Sequence, residues 1–106
     1  LIQFETGSAT IKPASYKELN EIVAIMNQYP SSKFKIEGHT DNTGNAANNT
    51  ALSGKRADAV KTYIASKGVT ENRLSAEGFG SLRPIGSNTT PAGRAQNRRV
   101  EIHLAD

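Results

Sequence analysis

A chain of 106 residues, 36% of them hydrophobic and 22% charged, is long enough for one domain with its own core. It has neither the polar excess of a disordered chain nor the ~20-residue apolar run that spans a bilayer. The absence of cysteine excludes disulfides and thiolate metal centres, and thirteen basic against ten acidic residues, with a pI near 9.4, permits contact with an anionic polymer without requiring it.

With no initiator methionine and no charged-then-apolar leader, Leu1 reads as the start of an excised or processed domain covering residues 1–106; any signal, barrel or anchor then belongs to segments outside it. Ile2 and Phe4 suggest a short opening strand. Between Tyr16 and Met26, the apolar positions Tyr16, Leu19, Ile22, Val23, Ile25 and Met26 recur at helical spacing behind Pro13 and Ser15, predicting an amphipathic helix that ends near Tyr29-Pro30. Lys33 to Gly38 alternates, placing Phe34 and Ile36 toward a core and the charges toward water. The polar run His39 to Gly44 suits a tight turn. A second helix is expected from Asn45 to Lys67, stopped by Gly68, with Leu52, Ala59, Val60, Tyr63 and Ile64 inward.

Arg73 to Phe79 alternates again and reads as a strand. Gly80 to Asn97, rich in glycine, proline and hydroxyls, reads as a long loop with one helical turn near Pro91. Arg99 to Leu104 closes the chain as a strand with Val100, Ile102 and Leu104 inward. The expected fold class is α+β, with two main helices on one face of a mixed, roughly four-stranded sheet in the order β-α-β-α-β-β.

Several motifs stand in order along this frame. They are Phe4-x-x-Gly7-Ser8-Ala9 with Pro13; Gly38-His39-Thr40-Asp41-x-x-Gly44 followed by Asn49, Leu52-Ser53 and Arg56-Ala57; Gly78-x-Gly80 with Pro84, Asn88 and Gly93-Arg94; and Asn97-Arg98-Arg99-Val100-Glu101-Ile102. Together they cover almost the whole chain, which thereby resembles the OmpA-like domain family of outer-membrane porins, peptidoglycan-associated lipoproteins and flagellar stator proteins. The resemblance implies a non-catalytic periplasmic module that binds the peptidoglycan stem peptide, usually at diaminopimelate, and anchors the outer membrane or an envelope protein to the cell wall.

The free end of that residue carries an ammonium and a carboxylate. The resemblance assigns the ammonium to Asp41 and the carboxylate to Arg56, adds Glu5, Thr6, Thr43 and Asn49 as polar contacts, and puts Leu52 in the pocket lining. Related sequences often carry Asp where Glu5 stands. From the residues alone, Arg56 is an anomaly: it lies four positions after Leu52 and four before Val60, on a helix face that otherwise reads as buried. Such an arginine must meet an acceptor or reach water along its stem, so an Asp41–Arg56 salt bridge or a snorkelling arginine is the plain structural alternative. Turn-making and helix capping are the alternatives for Thr43 and Asn49. Arg98 and Arg99 straddle the start of the last strand, one toward the binding side and one toward solvent; Arg98 is taken as the ligand-binding one, with a solvated or structural ion-pair role as the alternative for either.

Other chemistries are less well supported. Glu37, His39 and Asp41 occupy alternate positions but form no distinctive ligand motif, and neither metal nor cofactor is expected. No serine has an activating context beside either histidine, so an enzyme of cell-wall turnover is the second reading and not the first. Arg94, Arg98 and Arg99 lack interleaved aromatic residues, which argues against nucleic acid. A homodimer is compatible with the sequence, and membrane contact is expected only through segments outside the chain.

Overall fold

The computed structural model describes residues 2–105; Leu1 and Asp106 lie outside them. After a short 3-10 turn at Pro13–Ser15 come α1 (Tyr16–Gln28), β1 (Phe34–His39), α2 (Ala46–Ser66), a second 3-10 turn at Glu71–Arg73, β2 (Leu74–Gly78), α3 (Pro91–Asn97) and β3 (Arg99–Leu104). Among the described residues the sheet has three strands in the order β2-β1-β3, with β1 parallel to β2 and antiparallel to β3.

The expected fourth strand is absent from this sheet. Phe4 forms only an isolated bridge with Ile11, because the intervening turn returns the chain on itself, with the Glu5 amide donating to the Thr10 carbonyl at 2.9 Å. The order also differs from expectation in that a helix separates the last two strands. Thr90 accepts from the Gly93 amide at 3.0 Å and Pro91 stands at the first helical position, so capping turns the anticipated single turn into the seven-residue α3.

Leu19, Val23 and Met26 of α1 and Ala57, Val60 and Ile64 of α2 share one core with Ile36, Leu74 and Val100, placing both long helices on the same side of the sheet. Leu104, expected inward, is 65% exposed at the strand end. Two glycines set the distance between α2 and the sheet. A Cβ on Gly38 would stand 2.0 Å from the Ser53 carbonyl oxygen, and one on Gly78 would stand 2.3 Å from the Gly54 amide nitrogen. Backbone therefore lies on backbone there, and Ser53, fully buried, uses its hydroxyl to accept from the Gly80 amide at 2.9 Å and to donate to Thr50 at 2.8 Å.

The other face of β1 departs from simple alternation. Glu37, expected in water, is buried beneath Arg83 of the loop after β2 and beside Lys35 and the two histidines. Ion-pair partners on neighbouring strands and the loop replace the water it would otherwise keep.

Candidate functional site

The loop after β1 is held by backbone bonds from outside it: the Thr40 amide donates to the Gly80 carbonyl at 2.8 Å, and the Phe79 amide donates to Gly38 at 2.9 Å. Asp41 is thereby fixed with only 7% exposure. Its Oδ1 accepts from the Thr43 amide at 2.8 Å, and its Oδ2 accepts from Arg98 Nη1 at 2.5 Å. Burial pushes the Asp41 carboxyl up, but the Thr43 amide and the Arg98 guanidinium outweigh it and hold the carboxyl below its usual range.

Asp41 thus pairs with Arg98, the residue immediately before β3, and not with Arg56. Arg56 is half-buried on α2, donates from Nε to the Ser8 carbonyl at 2.9 Å, and lies over the Phe4 ring at 5.0 Å. Desolvation lowers the Arg56 pKa, and the Arg98 charge lowers it further, so both arginines share one electrostatic environment. They line a single cleft of about 470 Å³ with Phe4, Thr6, Lys12 and Ala95. The helix-face anomaly seen in the sequence is therefore resolved by a backbone acceptor, an aromatic ring and an open cleft together.

The remaining candidates divide. Thr6 lines the cleft, while Glu5 stands exposed in the turn beside it. Thr43 is exposed and contributes its backbone amide to Asp41. Asn49 donates from Nδ2 to the Thr43 carbonyl at 2.8 Å and to the Asp41 carbonyl at 3.5 Å, which braces the loop. Leu52 is half-buried on α2 and is not among the cleft-lining residues. Arg99, expected as the solvent-facing member of its pair if Arg98 faced the site, is only 6% exposed; it bonds Glu101 and donates to the Arg83 carbonyl at 3.0 Å.

Sequence reasoning did not select Phe4, Lys12 or Ala95 as site residues. Phe4 carried a signal as the first residue of its motif, but Lys12 and Ala95 reach the cleft only through tertiary packing. It also missed the role of Asn97. This fully buried amide accepts from the Ile85 and Gly86 amides at 2.7 and 2.8 Å and donates to Gly86 and Asn88 at 3.0 and 2.7 Å, fixing the loop that leads to Arg98.

A second cleft of about 320 Å³, lined mainly by aliphatic side chains including Ile22, Ile25, Met26 and Ile102, runs between α1 and the sheet. It lacks the paired arginines. Among the described residues neither histidine bonds a serine or threonine hydroxyl: His103 Nε2 meets Glu101 at 2.7 Å, and the His39 ring nitrogens have no hydrogen-bond partner. No helix of the described residues is long and apolar enough to cross a membrane.

A family model described as the OmpA family matches residues 3–98. The chain belongs to the OmpA family. Outer membrane porin F of Pseudomonas fluorescens is 42% identical over 103 residues, 97% of this chain and 32% of that protein. The peptidoglycan-binding protein ArfA of Mycobacterium tuberculosis strain H37Rv is 43% identical over 101 residues, 95% of this chain and 31% of that protein. The chain therefore spans about a third of the length of these relatives. The crystal structure of the peptidoglycan-associated lipoprotein from Burkholderia pseudomallei superposes with a TM-score of 0.90 at 27% identity, covering 98% of this chain and 88% of that one. The mixed α+β architecture is thus shared with that solved lipoprotein.

Proposed function

We infer that this domain is a non-catalytic module that binds the stem peptide of peptidoglycan and holds an envelope protein to the cell wall on the periplasmic side. The observation that carries the reading is the meeting of Arg56 and Arg98 in one cleft, with the Asp41 carboxylate bound to the second of them. Two guanidiniums and one carboxylate suit a ligand end that bears both a carboxylate and an ammonium, as diaminopimelate does. The relative named for peptidoglycan binding supports the same partner.

The Asp41–Arg98 pair gives the site a resting state. A carboxylate offers about four lone-pair directions, of which Thr43 and Arg98 occupy two. An arriving ammonium takes up the rest, or displaces Arg98, which at 47% side-chain exposure can swing to the ligand carboxylate while Arg56 stays anchored to Ser8. Charge exchange of this kind gives modest affinity per site, and many sites on the wall supply retention.

Co-sedimentation with purified sacculi tests the assignment. Wild-type domain should pellet, and Asp41→Ala and Arg56→Ala should remain in the supernatant while keeping their circular dichroism spectra. Pelleting of both folded variants at wild-type levels would overturn it.

A further inference from the structure

The face of the sheet turned away from α1 and α2 carries a cluster that the wall-binding reading leaves unused. Glu37 and His39 project from β1, and Glu101 and His103 from β3, at registers that pair Glu37 with Glu101 and Lys35 with His103. His39 Nε2 stands 3.5 Å from Glu37 Oε1 and 4.0 Å from Glu101 Oε2. His103 Nε2 stands 3.6 Å from Glu37 Oε1 and 2.7 Å from Glu101 Oε1. Glu37, His39 and Glu101 can each offer one donor atom such that all three lie within 4.8 Å of one another.

We propose that Glu37, His39 and Glu101 form a transition-metal site, matched to Zn²⁺, on this face of the sheet, with His103 beside its entrance. Donors at ~2.0–2.2 Å from a tetrahedral zinc stand roughly 3.3–3.6 Å from one another; His39 Nε2 stands 3.5 Å from Glu37 Oε1, and Glu101 Oε2, at 4.0 Å, reaches that spacing by a small side-chain turn, which leaves the fourth position to water. One buried imidazole with two carboxylates is a donor set that zinc accepts and that magnesium and calcium, which take oxygen, do not.

The second observation is His39 itself. Its side chain is 1% exposed, and both ring nitrogens are buried without a hydrogen-bond partner among the described residues. The 3.5 Å approach of Glu37 is an electrostatic contact that lacks hydrogen-bond geometry. A buried imidazole left without a bond costs stability unless something else takes its lone pair, and a metal ion between Nε2 and the two carboxylates does so.

The neighbouring cations define the outer shell. Lys35 and Arg83 each lie 3.7 Å from Glu37 Oε2, so Glu37 Oε1 stays turned toward both histidines, while Arg99 bonds the Glu101 Oε2 that faces His39 and would share it with the ion. Their positive charge opposes a divalent ion and keeps its affinity well below that of a structural zinc centre. Arg83, with 57% side-chain exposure, can move aside, and His103, at 52%, marks the entrance. None of the three donors lines the Arg56 cleft, so the proposal stands apart from the wall-binding reading.

Calorimetric titration of the 106-residue chain with Zn²⁺ alone tests it, with parallel melts in Zn²⁺ and Mg²⁺ and ¹⁵N spectra of the imidazoles. One zinc per chain, a raised melting temperature with Zn²⁺ but not Mg²⁺, and shifted His39 and His103 resonances are expected. The near-isosteric variants Glu37→Gln and Glu101→Gln should each weaken zinc binding by at least about tenfold while still folding. Absence of binding at about 1 mM Zn²⁺, equal stabilisation by Mg²⁺, or unchanged zinc affinity in both folded variants would overturn the proposal.

Discussion

Asp41 is held at both carboxylate oxygens, and its titration reports how much that matters. Burial raises its pKa, the Thr43 amide and Arg98 lower it by more, and the folded value lies below the unfolded one. A depressed carboxylate contributes stability that is present above the unfolded pKa and lost as pH falls through the folded pKa. Asp41→Asn should therefore melt below wild type near neutrality, and the gap should close as pH drops below ~4. Thermal melts across that range check this; a gap that stays constant to the acid end would show that the variant loses packing and not charge. The sequence marked Asp41 and Arg56 as site residues by motif, and Arg56 also by its place on an apolar face. It could not reveal that Arg98 is the residue bound to Asp41, because that contact joins positions 57 apart through a loop whose course depends on the buried Asn97 amide.

At the scale of elements, hydrophobic periodicity made α1, β1, α2, β2 and β3 legible, since each carries a repeat of its own. The misses have local causes. α3 is only seven residues long, contains a glycine and buries Gly93 and Asn97 in place of an apolar stripe, so capping by Thr90 defines it better than periodicity does. The opening segment has strand-like residues but meets only itself at the Phe4–Ile11 bridge. Arg73 is a further element-level device that no pattern announces: it donates to the Ser32, Met26 and Tyr29 carbonyls at 2.9, 2.9 and 2.8 Å, satisfying the C-terminal end of α1 from across the fold. The contact of α2 with the sheet yields a paired prediction. Gly38→Ala puts a methyl into the Ser53 carbonyl and should cost ~3 kcal/mol or more, the upper part of the overpacking range. Gly54→Ala, one residue along the same helix, meets nothing within 4 Å and should stabilise by ~0.5–1 kcal/mol through helix propensity. Denaturant melts of the two variants separate these effects, and a loss of stability in both would mean that α2 tolerates no change of shape at this contact.

Over the whole molecule, the net charge of +3 says little about the ligand until it is placed. The sheet's open face sets its carboxylates against Lys35, Arg83 and Arg99, so those positive charges are already met. The Arg56 cleft differs: Lys12, Arg56 and Arg98 line it together, and Asp41, bound to Arg98, is the carboxylate paired with them in the described ion pairs. A cleft of about 470 Å³ suits a small charged group better than a polymer backbone, which favours a discrete carboxylate over nucleic acid. If wall binding uses these cations, the ligand's free carboxylate contributes charge-assisted bonds worth ~1.5–3 kcal/mol, equivalent to roughly 10- to 100-fold in affinity. A muropeptide with its diaminopimelate carboxylate amidated should bind weaker by that factor, and the deficit should shrink in Arg56→Gln, where the cation that distinguishes the two ligands is gone. Because screening at ~0.1 M salt acts over ~10 Å, raising ionic strength should weaken the free-carboxylate peptide more than the amidated one. Titration calorimetry with both peptides at two salt concentrations measures each quantity; equal affinities for the two in wild type would remove the carboxylate from the recognition chemistry and leave the cleft's positive charge to serve another anion.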